Sequence, residues 1–231
     1  MGKAEECLVC GAPLEYFKDQ IEMECMYCHG RFMSNARCVN GHYICDGCHG
    51  KLGLYVIEEI CGKTESRNPV EIMQEIIRSP HIHMHGPEHH VLVGSALLAA
   101  YKNAGGDLDL MEALKEMRNR GSQVPGGICG LWGSCGAAVS TGIFISLITG
   151  ASPLSGPEWG LCNEMTSKGL AAIAGIGGPR CCKRDSTTAI LEAVDFVGEK
   201  FGVWMERPQK VVCEMSQRNA QCLESKCPYH P

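Results

Sequence analysis

Cysteine is the residue type most able to do chemistry in this chain, and it occurs in two blocks. The 231 residues include 16 cysteines, with none between Cys61 and Cys129. Thiolates are the usual protein ligands of zinc and of iron–sulfur clusters. A disulfide framework is instead typical of small secreted domains, and we expect no signal peptide because the first residues lack an apolar run. The cysteines therefore predict a protein that binds metal ions or clusters.

The first block has the spacing of zinc knuckles. Each Cys-x-x-Cys pair places two sulfurs on one tight turn, where both can face the same ion. In sequence order, the first two pairs complete one tetrahedral site and the third segment completes another; interleaved pairing, with Cys7/Cys10 joined to Cys38/His42, is also open. A histidine in one set favours zinc over a rubredoxin-like iron site. We predict two structural zinc ions held by Cys7, Cys10, Cys25, Cys28, Cys38, His42, Cys45 and Cys48.

The second block is spread over helix starts and a C-terminal tail. Helix starts offer unpaired amides and a partial positive charge, which stabilise thiolates and the sulfides of an iron–sulfur cluster. Cys227 is followed by Pro228, and a proline also follows ferredoxin ligands. Two alternatives stay open: that Cys181 and Cys182 are small buried residues, and that the tail forms a separate zinc site. We predict an iron–sulfur cluster of the 4Fe–4S type, with ligands drawn from Cys129, Cys135, Cys162, Cys181, Cys182, Cys213, Cys222 and Cys227.

Five histidines lie between positions 81 and 90 and form a candidate site of their own. Neutral imidazole ligates zinc, iron or nickel, and a nearby carboxylate could act as a general base toward a metal-bound water. We predict His85, Glu88 and His89 as the candidate catalytic residues. The alternative is that these histidines cap helices and hydrogen-bond buried carbonyl groups.

Apolar residues at helical spacing fill most of the chain after the first block. Asn68 and Pro69 suit the N-cap and the first position of a helix. Further helices are predicted at 91–101, 108–120, 136–149, 157–174 and 186–200. No strand pairing is evident in this part. We predict a mainly α protein, in which a zinc-knuckle module of treble-clef or ribbon type (residues 1–52) precedes an all-α domain (residues 53–231) that binds the cluster.

The charges are mixed along the chain and exclude some partners. The 21 basic and 26 acidic residues give a net charge of −5, so no strong field would attract nucleic acid. No apolar stretch reaches the roughly 18 residues of a membrane-spanning helix. We expect no nucleic-acid or membrane partner, and a cytoplasmic protein whose thiols are kept reduced by the cell or by anoxia.

Two resemblances to known families rest on motifs in this sequence. The stretch from Gly126 to Ala138, followed later by Gly-Gly-Pro-Arg-Cys181-Cys182, resembles the helical C_GCAxxG_C_C family over residues 90–227, although Ser134 stands where that family has glycine. Over its whole length the chain also resembles an uncharacterised cysteine-rich family of anaerobic archaea and bacteria, through its Cys-x-x-Gly-His-Tyr-x-Cys and Met-His-Gly-Pro-x-His-His motifs. These resemblances imply a redox or cluster-bearing protein of anaerobes, encoded near methyltransferases or radical-type enzymes.

The sequence thus favours a function in electron transfer, sulfur transfer or cluster delivery, with a redox or radical-type enzyme as protein partner. One alternative is a metal-dependent enzyme that uses the histidines of positions 81–90 together with the cluster on a small substrate. Another is a non-catalytic assembly factor that docks a larger enzyme. The sequence sets no substrate, and the oligomeric state stays open, a homo-oligomer included.

Overall fold

The computed structural model describes Cys7, Val9, Cys10 and residues 12–231. The chain divides into two compact units, Met1–Gly53 and Leu54–Pro231. A small cysteine-rich unit precedes a helical one, so the prediction of a mainly helical fold with a cysteine-rich module before it is confirmed. No helix in the described ranges is both long enough and apolar enough to cross a bilayer.

The N-terminal unit is built on one antiparallel hairpin. Strand β1 (Leu14–Glu24) pairs with β2 (Arg31–Cys38), and a register shift between Tyr16 and Ile21 breaks the ladder. Most strand residues are exposed, and the one buried cluster described in this unit consists of three cysteines with Tyr43 and Ile44 packed against them. Such a unit buries too little apolar surface to be stable by packing alone.

Helix α1 (Asp46–Lys63) begins in the first cysteine block and is followed by seven more α-helices. Two short 3-10 helices, Ser216–Arg218 and Glu224–Lys226, lie in the C-terminal tail. The remaining α-helices are α2 (Pro69–Ile77), α3 (His89–Asn103), α4 (Leu110–Gly121), α5 (Ile128–Leu131), α6 (Gly136–Thr149), α7 (Pro157–Ile176) and α8 (Cys182–Phe201).

Helix α3 is the centre of the helical unit. Every residue from His89 to Tyr101 is buried, because α2, α4, α6 and α8 all pack around it. Gly94 lets two of these neighbours come close: a Cβ there would lie 2.3 Å from Sδ of Met117 on α4 and 3.1 Å from Oγ of Ser140 on α6. The amide of Gly94 donates a hydrogen bond of 2.9 Å to that same Oγ. This unit therefore has a dense apolar core of its own.

The observed helix boundaries agree in part with those predicted from the sequence. Asn68 caps α2, since its Oδ1 accepts from the amides of Val70 (3.1 Å) and Glu71 (3.4 Å), and Pro69 is the first helical residue as predicted. The start of α8 was placed four residues too late, at 186 rather than Cys182, because polar residues of its first turn are buried and hide the amphipathic pattern. The short α5 was not predicted.

Candidate metal centres

The first candidate metal centre lies at the open end of the hairpin. Its four ligand atoms, from Cys7, Cys10, Cys38 and His42, all lie within 4.8 Å of one another. The Sγ atoms of Cys10 and Cys38 are 3.5 Å apart, and Nδ1 of His42 is 3.3 Å from Sγ of Cys10. The register places Leu14 opposite Cys38, so the chain before β1 meets the chain after β2. Three thiols and one imidazole at these distances suit a tetrahedral ion.

The second candidate metal centre joins the hairpin turn to the start of α1. The ligand atoms of Cys25, Cys28, Cys45 and Cys48 again lie within 4.8 Å of one another. Sγ of Cys28 is 3.8 Å from Sγ of Cys45. The backbone amide of Cys45 donates to Sγ of Cys25 at 3.4 Å, and that of Cys48 donates to Sγ of Cys45 at 3.4 Å. Amides aimed at sulfur stabilise the thiolate form that a metal requires.

The pairing of ligand segments in sequence order is wrong, and the interleaved arrangement is the one that the structure has. Antiparallel pairing forces this result, because it brings the two outer ends of the hairpin together and sends the turn to the opposite end. A hydrogen bond of 2.9 Å from the amide of Met26 to the carbonyl of Tyr43 ties the turn to the segment that carries the last two ligands. Ligand spacing alone does not contain this information.

The thiol pKa values differ widely within the two groups of ligands. The backbone amide of Ala12, more than any other neighbour, lowers the pKa of Cys10 to about 6. Burial raises the pKa of Cys25, but the amides of Cys28 and Cys45 outweigh it and bring the pKa to about 6. Burial first, then neighbouring thiols, raise the pKa of Cys48 to about 12. Clustered sulfurs cannot all be thiolates until a positive ion compensates their charge.

Four cysteines of the second block line one open cavity in the helical unit. We call it the tail cavity, since Cys181 precedes α8 while Cys213, Cys222 and Cys227 belong to the C-terminal tail. Several sulfurs accept hydrogen bonds: from the Asn219 side-chain amide to Cys181 (3.3 Å), and from backbone amides to Cys213 (3.4 Å) and Cys222 (3.3 Å). The rest of the lining is largely apolar, including Met73, Ile77, Met84, Val211, Met215 and Leu223.

Three more cysteines line a second cavity, which we call the helix-start cavity. Cys129 lies on α5, Cys135 is the N-cap of α6 and Cys182 is the first residue of α8. Burial raises the pKa of Cys135 to about 12 and that of Cys182 to about 11. His89, His90, Arg180, Asp185 and Ser186 complete the polar part of the lining.

The remaining cysteine of the second block, Cys162, lines neither cavity. It lies on α7 and faces Ser146 of α6, partly buried against the apolar core. Cys61, which was not assigned as a ligand, is fully buried in the same core.

The comparison with protein families gives one match, over residues 57–230, to DUF5714, a family of unknown function. The chain belongs to the DUF5714 family. No curated protein and no solved structure matches it. The DUF5714 match begins after the last ligand of the N-terminal unit, so it contains the tail cavity, the helix-start cavity and the histidines but neither four-ligand site. Membership of an uncharacterised family is thus confirmed.

The predicted catalytic trio does not surround one point in this DUF5714 chain. Nε2 of the His85 ring donates to Oδ1 of Asn219 at 3.1 Å. The side-chain amide nitrogen of Asn219 in turn donates to Sγ of Cys181. Glu88 folds back on His83, accepting from its amide at 2.8 Å and contacting its ring at 3.0 Å. Burial raises the pKa of Glu88, yet the contacts with His83 outweigh it and lower the pKa to about 2.

His89 is enclosed between two groups of the protein. Its Nδ1 donates to the carbonyl of Gly86 at 3.0 Å, and its Nε2 accepts from Nζ of Lys183 at 2.9 Å. Burial lowers the pKa of His89 to about 3 and that of Lys183 to about 8. Lys183 also donates to the carbonyl of His83. The catalytic assignment of His85, Glu88 and His89 therefore stays a prediction, while their visible contacts hold the loop before α3.

Sequence reasoning missed the polar residues that serve the cysteines. Asn219 donates to the sulfur of Cys181. Arg184 lies beside the tail cavity, where its Nε donates to Asp185 at 2.9 Å and its Nη2 donates to the carbonyl of Pro179 at 3.0 Å. The third guanidinium nitrogen, Nη1, is buried with no hydrogen-bond partner in the described part of the chain. In the sequence, the two basic residues directly after Cys181-Cys182 are the feature that could have indicated hydrogen-bond donors beside these cysteines.

Proposed function

We propose that the helical unit binds an iron–sulfur cluster in the tail cavity and that the protein transfers electrons to a partner enzyme. The observation that carries this proposal is the convergence of four cysteines, Cys181, Cys213, Cys222 and Cys227, on one cavity. Three of them are separated from the first by more than thirty positions of sequence. Folding has therefore gathered thiols that sequence spacing leaves apart.

The spacing of the sulfurs favours a cluster over a single ion. A Zn–S bond of about 2.3 Å places tetrahedral sulfurs about 3.8 Å apart. Among the described residues of the helical unit, no three Cys, His, Asp or Glu ligand atoms lie within 4.8 Å of one another. A cluster spreads its cysteines over separate irons, so its ligand sulfurs stand further apart. Sulfurs around an open cavity fit that requirement.

The charges around the tail cavity fit an anionic group. Arg184 offers a buried N–H of Nη1 that has no partner within the described residues. Asn219 and two backbone amides already point at sulfur atoms. Hydrogen bonds to cluster sulfurs stabilise the reduced state and tune the potential. The cavity supplies donors where a sulfide-rich anion would need them.

Electron transfer is preferred to sulfur transfer or cluster delivery because four cysteines leave no iron open for ligand exchange. The bound cluster would accept one electron from a reduced carrier and pass it to a redox or radical-type partner enzyme. Cys213, Cys222 and Cys227 are only partly buried, so a partner could approach the site closely. The same exposure would make the cluster sensitive to oxygen, which suits an anaerobic host.

We further propose that both centres of the N-terminal unit hold zinc in a structural role. Each has four protein ligands and thus no open coordination position, and one contains histidine. Closed zinc sites contribute folding free energy directly, which this unit lacks from other sources.

The test uses the full chain, purified and reconstituted without oxygen. Iron, acid-labile sulfide and zinc are measured in the wild type, in Cys222→Ala and in Cys162→Ala, the last being a matched control outside both cavities. We expect about two zinc ions per chain in all three, and a lower iron and sulfide content than the wild type in Cys222→Ala alone. Circular dichroism checks that the variants remain folded. A folded Cys222→Ala protein with the wild-type iron and sulfide content would refute the tail-cavity cluster.

A further inference from the structure

We propose that the helix-start cavity is a second, separate iron–sulfur site, ligated by Cys129, Cys135, Cys182 and Nε2 of His90. The proposal rests on the geometry of this cavity and does not require the tail cavity to be occupied. Three thiols from three different helices line it, together with one imidazole.

His90 has the hydrogen bonding of a metal-ligating histidine. Its Nδ1 donates to the carbonyl of Val124 at 2.9 Å. That bond fixes the tautomer and leaves the lone pair on Nε2, which is how most metal-binding histidines are oriented by a second group. The neighbouring His89 differs, because both of its ring nitrogens are engaged, one by Gly86 and the other by Lys183. Of the two histidines at the cavity, only His90 thus has a ring nitrogen that could ligate iron.

Gly136 makes room for the imidazole of His90 at the start of α6. A Cβ at this position would lie 2.2 Å from Cδ2 and 2.3 Å from Nε2 of the ring, closer than any side chain tolerates. Glycine directly after Cys135 therefore places the imidazole beside a thiol. Any larger residue would push the ring out of the cavity or move the helix.

An unsatisfied donor in the cavity wall points to an anionic ligand. Ser186 lines the cavity and is completely buried, and its Oγ has no hydrogen-bond partner among the described residues. A buried hydroxyl without a partner is destabilising. A cluster sulfide or a ligand thiolate would accept a hydrogen bond from this hydroxyl.

A cluster fits this cavity better than a single ion for the same reason as in the tail cavity. Three sulfurs and one nitrogen around one ion would fall within 4.8 Å of one another, and the described residues of the helical unit contain no such group. An imidazole is a weaker and more exchangeable ligand of cluster iron than a thiolate. In such a cluster, the iron held by His90 would therefore be the one from which a small molecule most readily displaces a protein ligand.

The experiment isolates this site by removing the other. Full-length Cys222→Ala is reconstituted anaerobically with iron and sulfide, so that any remaining cluster belongs to the helix-start cavity. We expect about four iron and four sulfide per chain to remain, as one 4Fe–4S cluster requires. Adding Cys129→Ala should remove them, while adding Cys162→Ala should not. Pulsed EPR of the reduced protein should detect one strongly coupled nitrogen, lost in His90→Ala and in Gly136→Ala.

The outcomes separate the two proposals. A folded Cys222→Ala protein without iron and sulfide would overturn the second site while leaving the tail cluster intact as a proposal. If Cys222→Ala kept the full wild-type content of iron and sulfide and Cys129→Ala lost all of it, the tail cluster would be refuted and the second site supported. A remaining cluster without nitrogen coupling would refute the role of His90, and His90→Cys is expected to bind a cluster without that coupling.

Discussion

The two units of this protein use cysteine in opposite ways. In the N-terminal unit the ligands come from the two ends of the hairpin and from the start of α1, and each set of four ligand atoms meets within 4.8 Å. In the helical unit seven cysteines line two larger cavities, and the fold around them is held by a packed core with α3 at its centre. Under the proposed assignments, the distance between sulfurs, rather than the number of cysteines, distinguishes the sites of single ions from the sites of clusters. The first unit would then depend on metal for its folding, whereas the second has a packed core of its own.

The largest expected effect is the loss of the N-terminal fold in Cys25→Ser. Structural zinc supplies roughly 10 kcal/mol or more of folding free energy in small zinc domains, and this unit has little buried apolar surface to replace it. We expect the variant to lose at least one zinc ion and become protease-sensitive in the hairpin, while the helical unit keeps its melting temperature. Zinc analysis and limited proteolysis measure this, with Cys162→Ser as the matched substitution. If the hairpin of the variant stayed resistant to protease, metal would not be what stabilises the N-terminal unit, and the two units would not differ in this respect.

The second effect concerns His89, whose ring contacts the carbonyl of Gly86 and Nζ of Lys183. His89→Ala would leave the carbonyl of Gly86 without its donor and the buried ammonium of Lys183 without its imidazole acceptor. Because buried charged groups are costly to leave unpaired, we expect a loss of about 3 kcal/mol in unfolding free energy, with zinc content unchanged. Denaturant unfolding of the helical unit measures it. A variant that is fully stable yet inactive in cells would instead support the catalytic assignment of His89.

A smaller effect should follow from overpacking the core. Gly94→Ala places a methyl group 2.3 Å from Sδ of Met117, and the flexible methionine can yield only in part. Insertions of this kind typically cost about 1 to 3 kcal/mol, and we expect a value near 2. Thermal melting should show a lower transition for the helical unit, with the same zinc content and the same protease resistance of the hairpin. Ala96→Gly, a change at another buried position of α3, serves for comparison, since it removes volume instead of adding it.

The smallest effect tests local structure alone. Asn68→Ala removes the side chain that accepts from the amides of Val70 and Glu71 at the start of α2. Loss of an N-cap costs about 1 kcal/mol, and Asn68→Asp should restore most of it. Neither variant should change the metal content of the protein. A loss of iron in Asn68→Ala would mean that the tail cavity depends on α2 more closely than packing suggests.

Local patterns were predictable from the sequence, and long-range arrangements were not. The Cys-x-x-Cys pairs and the Asn68-Pro69 cap depend on neighbours within four residues, so spacing is enough to find them. The interleaved ligand sets depend on strand register, which brings Cys7 to Cys38. The division of the second block depends on the start of α8: Cys181 is the extended N-cap and Cys182 is the first helical residue, and the two line different cavities. The contacts of Asn219 and Lys183 could not be predicted, because their partners are 38 and 94 positions away.

The adjacency of Cys181 and Cys182 has an electronic consequence. Consecutive Cα atoms are about 3.8 Å apart, so clusters bound in both cavities would be near neighbours bridged by one peptide group. Their unpaired spins would couple, and the EPR spectrum of the fully reduced protein would be broader than the sum of the spectra of the single-site variants. An electron on one cluster would also repel a second electron on the other, because like charges at short range interact strongly in a medium of low polarity. The two clusters would therefore be reduced in two separate one-electron steps, and the protein could release the two electrons one at a time.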